Sequence, residues 1–196
     1  MQNTAHTPET NRPAGRPERQ VVSRWPDSLV AVHWLTALTV VCAFAFVLSR
    51  EFIEEKSVRQ WMLQGHWYAG MLAWMLVLMR VPLRLGTTAP RHGLPRPQQI
   101  ASAMGHGLLY LGLLTLPGIG YALACARYGH VDFMGFDLPA LISRDRDLAE
   151  TLEEIHEWAG WAMLALIGLH AFVALLHHHV LKDNVLRAML PARHPR

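Results

Sequence analysis

Six histidines stand in or beside stretches that are otherwise almost wholly apolar. They are His33 in AVHWL, His66 in LQGHWYAG, His106 in AMGHGLLYLG, and His156, His170 and His177 in EEIHEWAGWAMLALIGLHAFVALLHHH. A neutral imidazole binds metals and exchanges a proton near neutral pH, and in apolar surroundings an ionisable group is costly enough that a functional use is the first reading. Spacing sharpens this. On an α-helix the fourteen residues from His156 to His170 cover about 21 Å with about 40° of angular drift, and the seven to His177 drift about 20°. These three imidazoles therefore share one helical stripe at three depths. His66 and Arg80 are also fourteen residues apart, so the guanidinium faces the same way as His66 at a different level. His6, His92, His130 and His194 fall in polar tails or loops and read as solvated surface.

The elements that must carry this stripe are long. Hydrophobic residues make up 52% of the 196 positions, and the runs 28–49, 60–79, 97–126 and 158–181 contain no Asp, Glu, Lys or Arg. Each is long enough to cross a hydrocarbon core, which takes about 20 helical residues. Spanning backbone must satisfy its own hydrogen bonds, and these runs are far longer than barrel strands of about 10 residues. The expectation is an all-α membrane protein, a bundle of four transmembrane helices in contact with lipid. Small residues such as Gly65, Gly70, Gly105, Gly120 and Gly168 would let helices or flat cofactors approach closely, and Pro117 is placed to bend the third helix.

Charge sets the orientation. Segments 1–27, 80–96 and 182–196 hold twelve of the eighteen Lys and Arg with four acids, whereas 50–59 and 127–157 hold six basic and eleven acidic residues. The basic segments, and with them both termini, are expected in the cytoplasm. The net charge of +3 is then the difference between a basic inner and an acidic outer face, which argues against nucleic-acid binding. Residues 1–27, rich in Pro and Arg, are expected to form a disordered cytoplasmic tail, 28–181 the four-helix domain and 182–196 a cytoplasmic C-terminal tail. A cleaved signal peptide is not expected, because the first apolar run is of full spanning length. Cys42 and Cys125 form neither a C-x-x-C pair nor a haem-attachment motif.

With this orientation the histidines pair by depth. His33 enters early on the first helix and His170 lies on the returning fourth, so the two share the inner level. His66 and His156 share the outer one. Two imidazole pairs facing a bundle interior suit axial ligation of two non-covalent b haems stacked across the membrane. Arg80 then reaches the inner level, either to hold a haem propionate or as a helix-end cation. His106 is left without an assigned role.

The motifs HW (His33, Trp34), GHWYAG, LMRVPLRL, GHGLLYLGLLTLPGIG, IHEWAGW, IGLHAFVALLHHHVLKDNVL and RAMLP occur in order over residues 23–192. In this the chain resembles the bacterial cytochrome b561 family of small di-haem membrane cytochromes, with the superoxide-oxidising members the nearest likeness. The resemblance implies ligand pairs His33/His170 for the inner haem and His66/His156 for the outer one, in agreement with the depth pairing. It implies His177 as the quinone-site histidine, and electron flow from a periplasmic donor, superoxide, through outer then inner haem to ubiquinone. A monomer or homodimer is expected. The chain departs from the family in its run of three histidines, 177–179, and in an N-terminal extension of about twenty residues.

A one-electron donor and a two-electron acceptor need single-electron carriers between them, and quinone reduction needs protons, which His177 is suited to give. A small anionic donor calls for positive charge outside, where Arg50, Lys56, Arg59 and Arg127 are the available cations. Two other classes stay open: a non-enzymatic electron adaptor anchoring a dehydrogenase or a periplasmic cytochrome, and a metal transporter or sensor using His177–His179. The absence of Asp or Glu from the four runs weighs against the last.

Overall fold

The computed structural model describes residues 24–88 and 95–190; most of the expected N-terminal tail, the 89–94 stretch and the last six residues lie outside these. Four helices make the bundle: α1 (Asp27–Ser49), α2 (Lys56–Leu85), α3 (Arg96–Tyr128) and α4 (Arg146–Leu176). All four are long and apolar enough to cross a membrane. Their threonine hydroxyls are satisfied locally, as a water-free layer demands. Thr36 and Thr39, both buried, donate to the carbonyls of Val32 and Leu35, each at 2.7 Å, and Thr115 donates to that of Leu111 at 2.9 Å. Large apolar side chains such as Leu38, Val41, Leu111 and Phe172 point outward, where lipid rather than water is their solvent.

α4 begins at Arg146, twelve residues before the uncharged run. The counting of charges misses its first turns because a membrane helix continues into the aqueous layer, where acids are tolerated. Asp145 caps it by accepting the Leu148 N–H at 3.0 Å, Asp147 suits the positive end of the helix dipole, and Arg146 pairs with Glu150 one turn on at 3.2 Å. α3 closes at Gly129, whose φ of 75° a side-chain-bearing residue adopts at a cost, and whose N–H returns to the Cys125 carbonyl at 2.8 Å.

Between α3 and α4 an antiparallel hairpin, β1 (Val131–Phe133) and β2 (Phe136–Leu138), turns through Met134 and Gly135, both with positive φ (54° and 86°). It is tied onto the bundle. Val131 is buried with Met71, Tyr121 and Cys125, the Trp67 indole donates to the Asp132 carbonyl at 3.2 Å, and the Tyr121 hydroxyl donates to that of Pro139 at 2.5 Å. The opposite end of the bundle, the terminal end, carries Arg24 and Leu190, the first and last described residues. There residues 183–190, part of the expected C-terminal tail, fold back on α1 and the residues just before it: the Trp34 indole donates to the Met189 carbonyl at 2.7 Å, Arg24 to that of Leu190, and Ala188 is fully buried.

Among the described residues α1 packs on α2, α2 on α3 and α3 on α4, whereas α4 makes no comparable approach to α1 or α2. A gap thus runs between the α1–α2 layer and α4, and the histidine stripe of α4 looks across it.

Candidate haem sites

Both expected histidine pairs span that gap. His33 of α1 and His170 of α4 have ring centres 6.4 Å apart with planes at 76°, and His66 of α2 and His156 of α4 are 6.1 Å apart at 88°. A metal held by two imidazoles, each with a bond of about 2 Å, puts the ring centres about 6 Å apart. Both spacings match an iron between the rings. The first site lies at the terminal end of the bundle and the second toward the hairpin end, about 21 Å apart along α4 by helical rise.

Each site is built from several helices. At the hairpin-end site, His66 Nδ1 lies 2.8 Å from the Ala43 carbonyl of α1. A carbonyl can only accept, so Nδ1 carries the proton and Nε2 presents its lone pair, the arrangement that orients a ligating histidine. His156 rests on α3 at Gly120, where an added Cβ would come within 2.9 Å of the imidazole Cε1; only glycine lets the ring sit there without moving. The Trp74 indole donates to the Leu114 carbonyl at 2.9 Å, adding a donor to α3 one turn before Pro117, whose ring takes one away from the helix ladder.

The terminal-end site is lined differently. His33 Nδ1, Arg80 Nε and the Tyr110 hydroxyl are all buried without a hydrogen-bond partner among the described residues. The Arg80 guanidinium lies 5.5 Å from the centre of the Tyr110 ring, and electrostatically it is a close neighbour of both His33 and His170. Unpaired buried polar atoms cost about 1–3 kcal/mol each, and these fit the anionic carboxylates of a haem. His106, one turn from Tyr110 on α3, adds a third imidazole, edge-on to His170 with centres 5.4 Å apart. Its Nδ1 lies 2.6 Å from the Ser102 carbonyl. That spacing from His170 is short for an iron between them, so the geometry favours His33 as the opposing ligand. The residues present therefore fit two haems: His33, His170, Arg80 and Tyr110 would hold one, His66 and His156 the other.

Outside the gap the expectations divide. His177 reaches the terminal end of the α4 stripe and pairs with Asp183 at 2.5 Å. The three successive histidines do not converge: His178 and His179 meet edge to face at 4.8 Å while His177 turns to Asp183. Among the described residues no cluster of three or more His, Cys, Asp or Glu is placed to hold a metal ion. Arg127, taken from the sequence as an available outer cation, is engaged. It makes a two-pronged bridge to Glu153, one turn before His156, at 3.1 and 2.5 Å. Cross-helix register between α3 and α4 decides that pairing, and the sequence carries no mark of it. Tyr110 and Asp183 were not singled out as site residues either. Tyr110 shares the His106 face at a spacing of four residues, and that spacing was the available signal.

Compared with known proteins, the chain matches the family described as prokaryotic cytochrome b561 over residues 24–192. It is 34% identical over 166 residues to a Yersinia pestis protein named probable superoxide oxidase CybB, covering 84% of this chain and 94% of that one. It is 31% identical over 176 residues to cytochrome b561 homolog 1 of Escherichia coli (strain K12), covering 88% and 99%, and 30% identical over 169 residues to homolog 2 of the same organism.

Proposed function

Because the chain belongs to the prokaryotic cytochrome b561 family, haem b membrane proteins that transfer electrons, we propose that it carries electrons from superoxide at the hairpin end to ubiquinone at the terminal end. The overall reaction is two superoxide plus ubiquinone plus two protons giving two dioxygen plus ubiquinol. The basic segments make the terminal end cytoplasmic and the hairpin end periplasmic in the bacterial inner membrane. The observation that carries the reading is the pair of iron-sized histidine gaps, 6.1 and 6.4 Å, at two depths of one bundle.

When bound, the two haems supply the one-electron carriers between a one-electron donor and a two-electron acceptor. The chain's own residues do the rest. His66/His156 and His33/His170 would hold the irons, Arg80 would neutralise a haem carboxylate and Tyr110 would donate to one, and the hairpin packs on Tyr121 and Trp67 at the outer end. His177, beyond the inner pair, gives a proton to the quinone. With Arg127 tied to Glu153, Arg50, Lys56, Arg59 and Arg144 are among the outer cations that remain to attract a small anion.

The test is stopped-flow reduction of the purified, partner-free protein by a superoxide source, with and without superoxide dismutase. Fast, dismutase-sensitive reduction is expected, slowed by salt and by Arg59→Gln, because exposed charges act over about 10 Å at 0.1 M salt. Reduction slower than spontaneous dismutation would instead favour an electron adaptor whose acidic outer face docks a basic partner.

A further inference from the structure

α4 does not end as the other helices do. Its last turn passes into a π-turn, His177–Leu181, followed by Lys182 in the left-handed conformation (φ 52°). The backbone N–H groups of Lys182 and Asp183 both return to the His177 carbonyl, the latter at 3.2 Å. π-turns are rare and gather at functional sites, and a left-handed non-glycine residue is a strained choice. Their joint effect is to double the chain back so that Asp183 lies beside the imidazole it follows by six residues.

The pairing that results is held on both sides. Asp183 Oδ2 lies 2.5 Å from His177 Nδ1, and Oδ1 accepts the Val185 N–H at 3.1 Å. The carboxylate is therefore fixed in rotation by its own backbone. The two side chains are only 14% and 27% exposed. Downstream, Met189 is pinned to Trp34 of α1 and Leu190 to Arg24 just before that helix, so the segment bearing Asp183 is held at both ends. Because a carboxylate oxygen accepts, the proton sits on His177 Nδ1, and Nε2 remains for a second partner.

We propose that Asp183 is a positioning residue for quinone reduction: it holds the proton on His177 Nδ1 and fixes the orientation of the ring, so that Nε2 is the atom that delivers a proton to a quinone oxygen. The inference rests on the reading above that quinone is reduced at His177. For each proton delivered, the His177 Nε2–H bond breaks and a quinone O–H bond forms. The two electrons come from the one-electron donor at the opposite end, and His177 recovers its proton from water at the terminal end. Asp183 exchanges no proton with the quinone; its work is to hold the imidazole in its orientation.

The experiment uses the full-length holoprotein with ubiquinone-1, following quinol formation under a steady supply of one-electron donor, with haem spectra and haem reduction rates recorded on the same samples. Asp183→Asn is expected to lower kcat by roughly ten- to a hundredfold, with KM, haem spectra and haem reduction unchanged; Asp183→Glu, which keeps the charge, should recover part of the loss. Arg24→Ala, which loosens the C-terminal segment and leaves the pair in place, should keep kcat. If Asp183→Asn leaves kcat unchanged while His177→Ala lowers it, the positioning role falls and the quinone site stands. Should His177→Ala also leave quinone reduction unchanged, the site reading itself falls. An equal loss in Arg24→Ala and Asp183→Asn, or a loss carried by KM, would make Asp183 a structural residue and overturn the proposal.

Discussion

The two histidine sites solve the same problem in different ways. At the hairpin end the protein arranges the proposed ligands mainly by packing: His66 is oriented by a backbone carbonyl, His156 lies in a notch made by Gly120 with only its Nδ1 left without a hydrogen-bond partner among the described residues, and a cluster of Trp67, Tyr121, Cys125 and Val131 packs beside them. At the terminal end the ligands stand among polar groups without partners, His33 Nδ1, Arg80 Nε and Tyr110 Oη, with His106 at the edge. One site is organised by packing and the other by charge waiting for charge. Substitutions should therefore hurt the hairpin-end site through shape and the terminal-end site through electrostatics.

The sharpest way to break this contrast is Arg80→Gln. A charge-assisted hydrogen bond to a carboxylate contributes about 1.5–3 kcal/mol, which is roughly ten- to a hundredfold in affinity. The terminal-end haem should be retained that much more weakly in haem-transfer assays and the hairpin-end haem should not change. Gly120→Ala should do the reverse. The new Cβ forces His156 to shift, an overpacking cost of about 1–3 kcal/mol, seen as an altered spectrum or partial loss of the hairpin-end haem alone. Tyr110→Phe removes one neutral hydrogen-bond donor, a loss of about 1 kcal/mol, and should weaken terminal-end retention by roughly fivefold. Least of all, Glu153→Gln breaks an exposed bridge and should lower thermal stability by less than about 1 kcal/mol. If Glu153→Gln matched Gly120→Ala in its effect on the hairpin-end haem, charge rather than shape would organise that site too.

Much of the bundle was legible in the sequence, for a definite physical reason. An ionisable side chain on a run with no other charge is conspicuous, and helical geometry converts its sequence position into depth, so His33, His66, His156 and His170 could be paired before any contact was known. What stayed hidden depends on register between elements. The bridge from Arg127 to Glu153 and the seat of His156 on Gly120 require knowing how α3 lies against α4. The hairpin is two strands of three residues, too short to show a period, and it holds because Trp67 and Tyr121 on other elements bind it. Asp183 is close to His177 in sequence, yet only the π-turn and the left-handed Lys182 reverse the chain to bring them together. Tyr110 looked like any aromatic residue on an apolar helix until Arg80 was placed beside it.

The central claim is that two haems are held by His33 with His170 and by His66 with His156. It is tested most directly by redox titration and pyridine haemochrome analysis of the wild type, His66→Ala and His170→Ala. Two haems are expected in the wild type and one in each variant, with the surviving haem of His66→Ala matching in potential and spectrum the one that His170→Ala has lost. A wild type with one haem, or two variants that lose the same haem, would contradict the account.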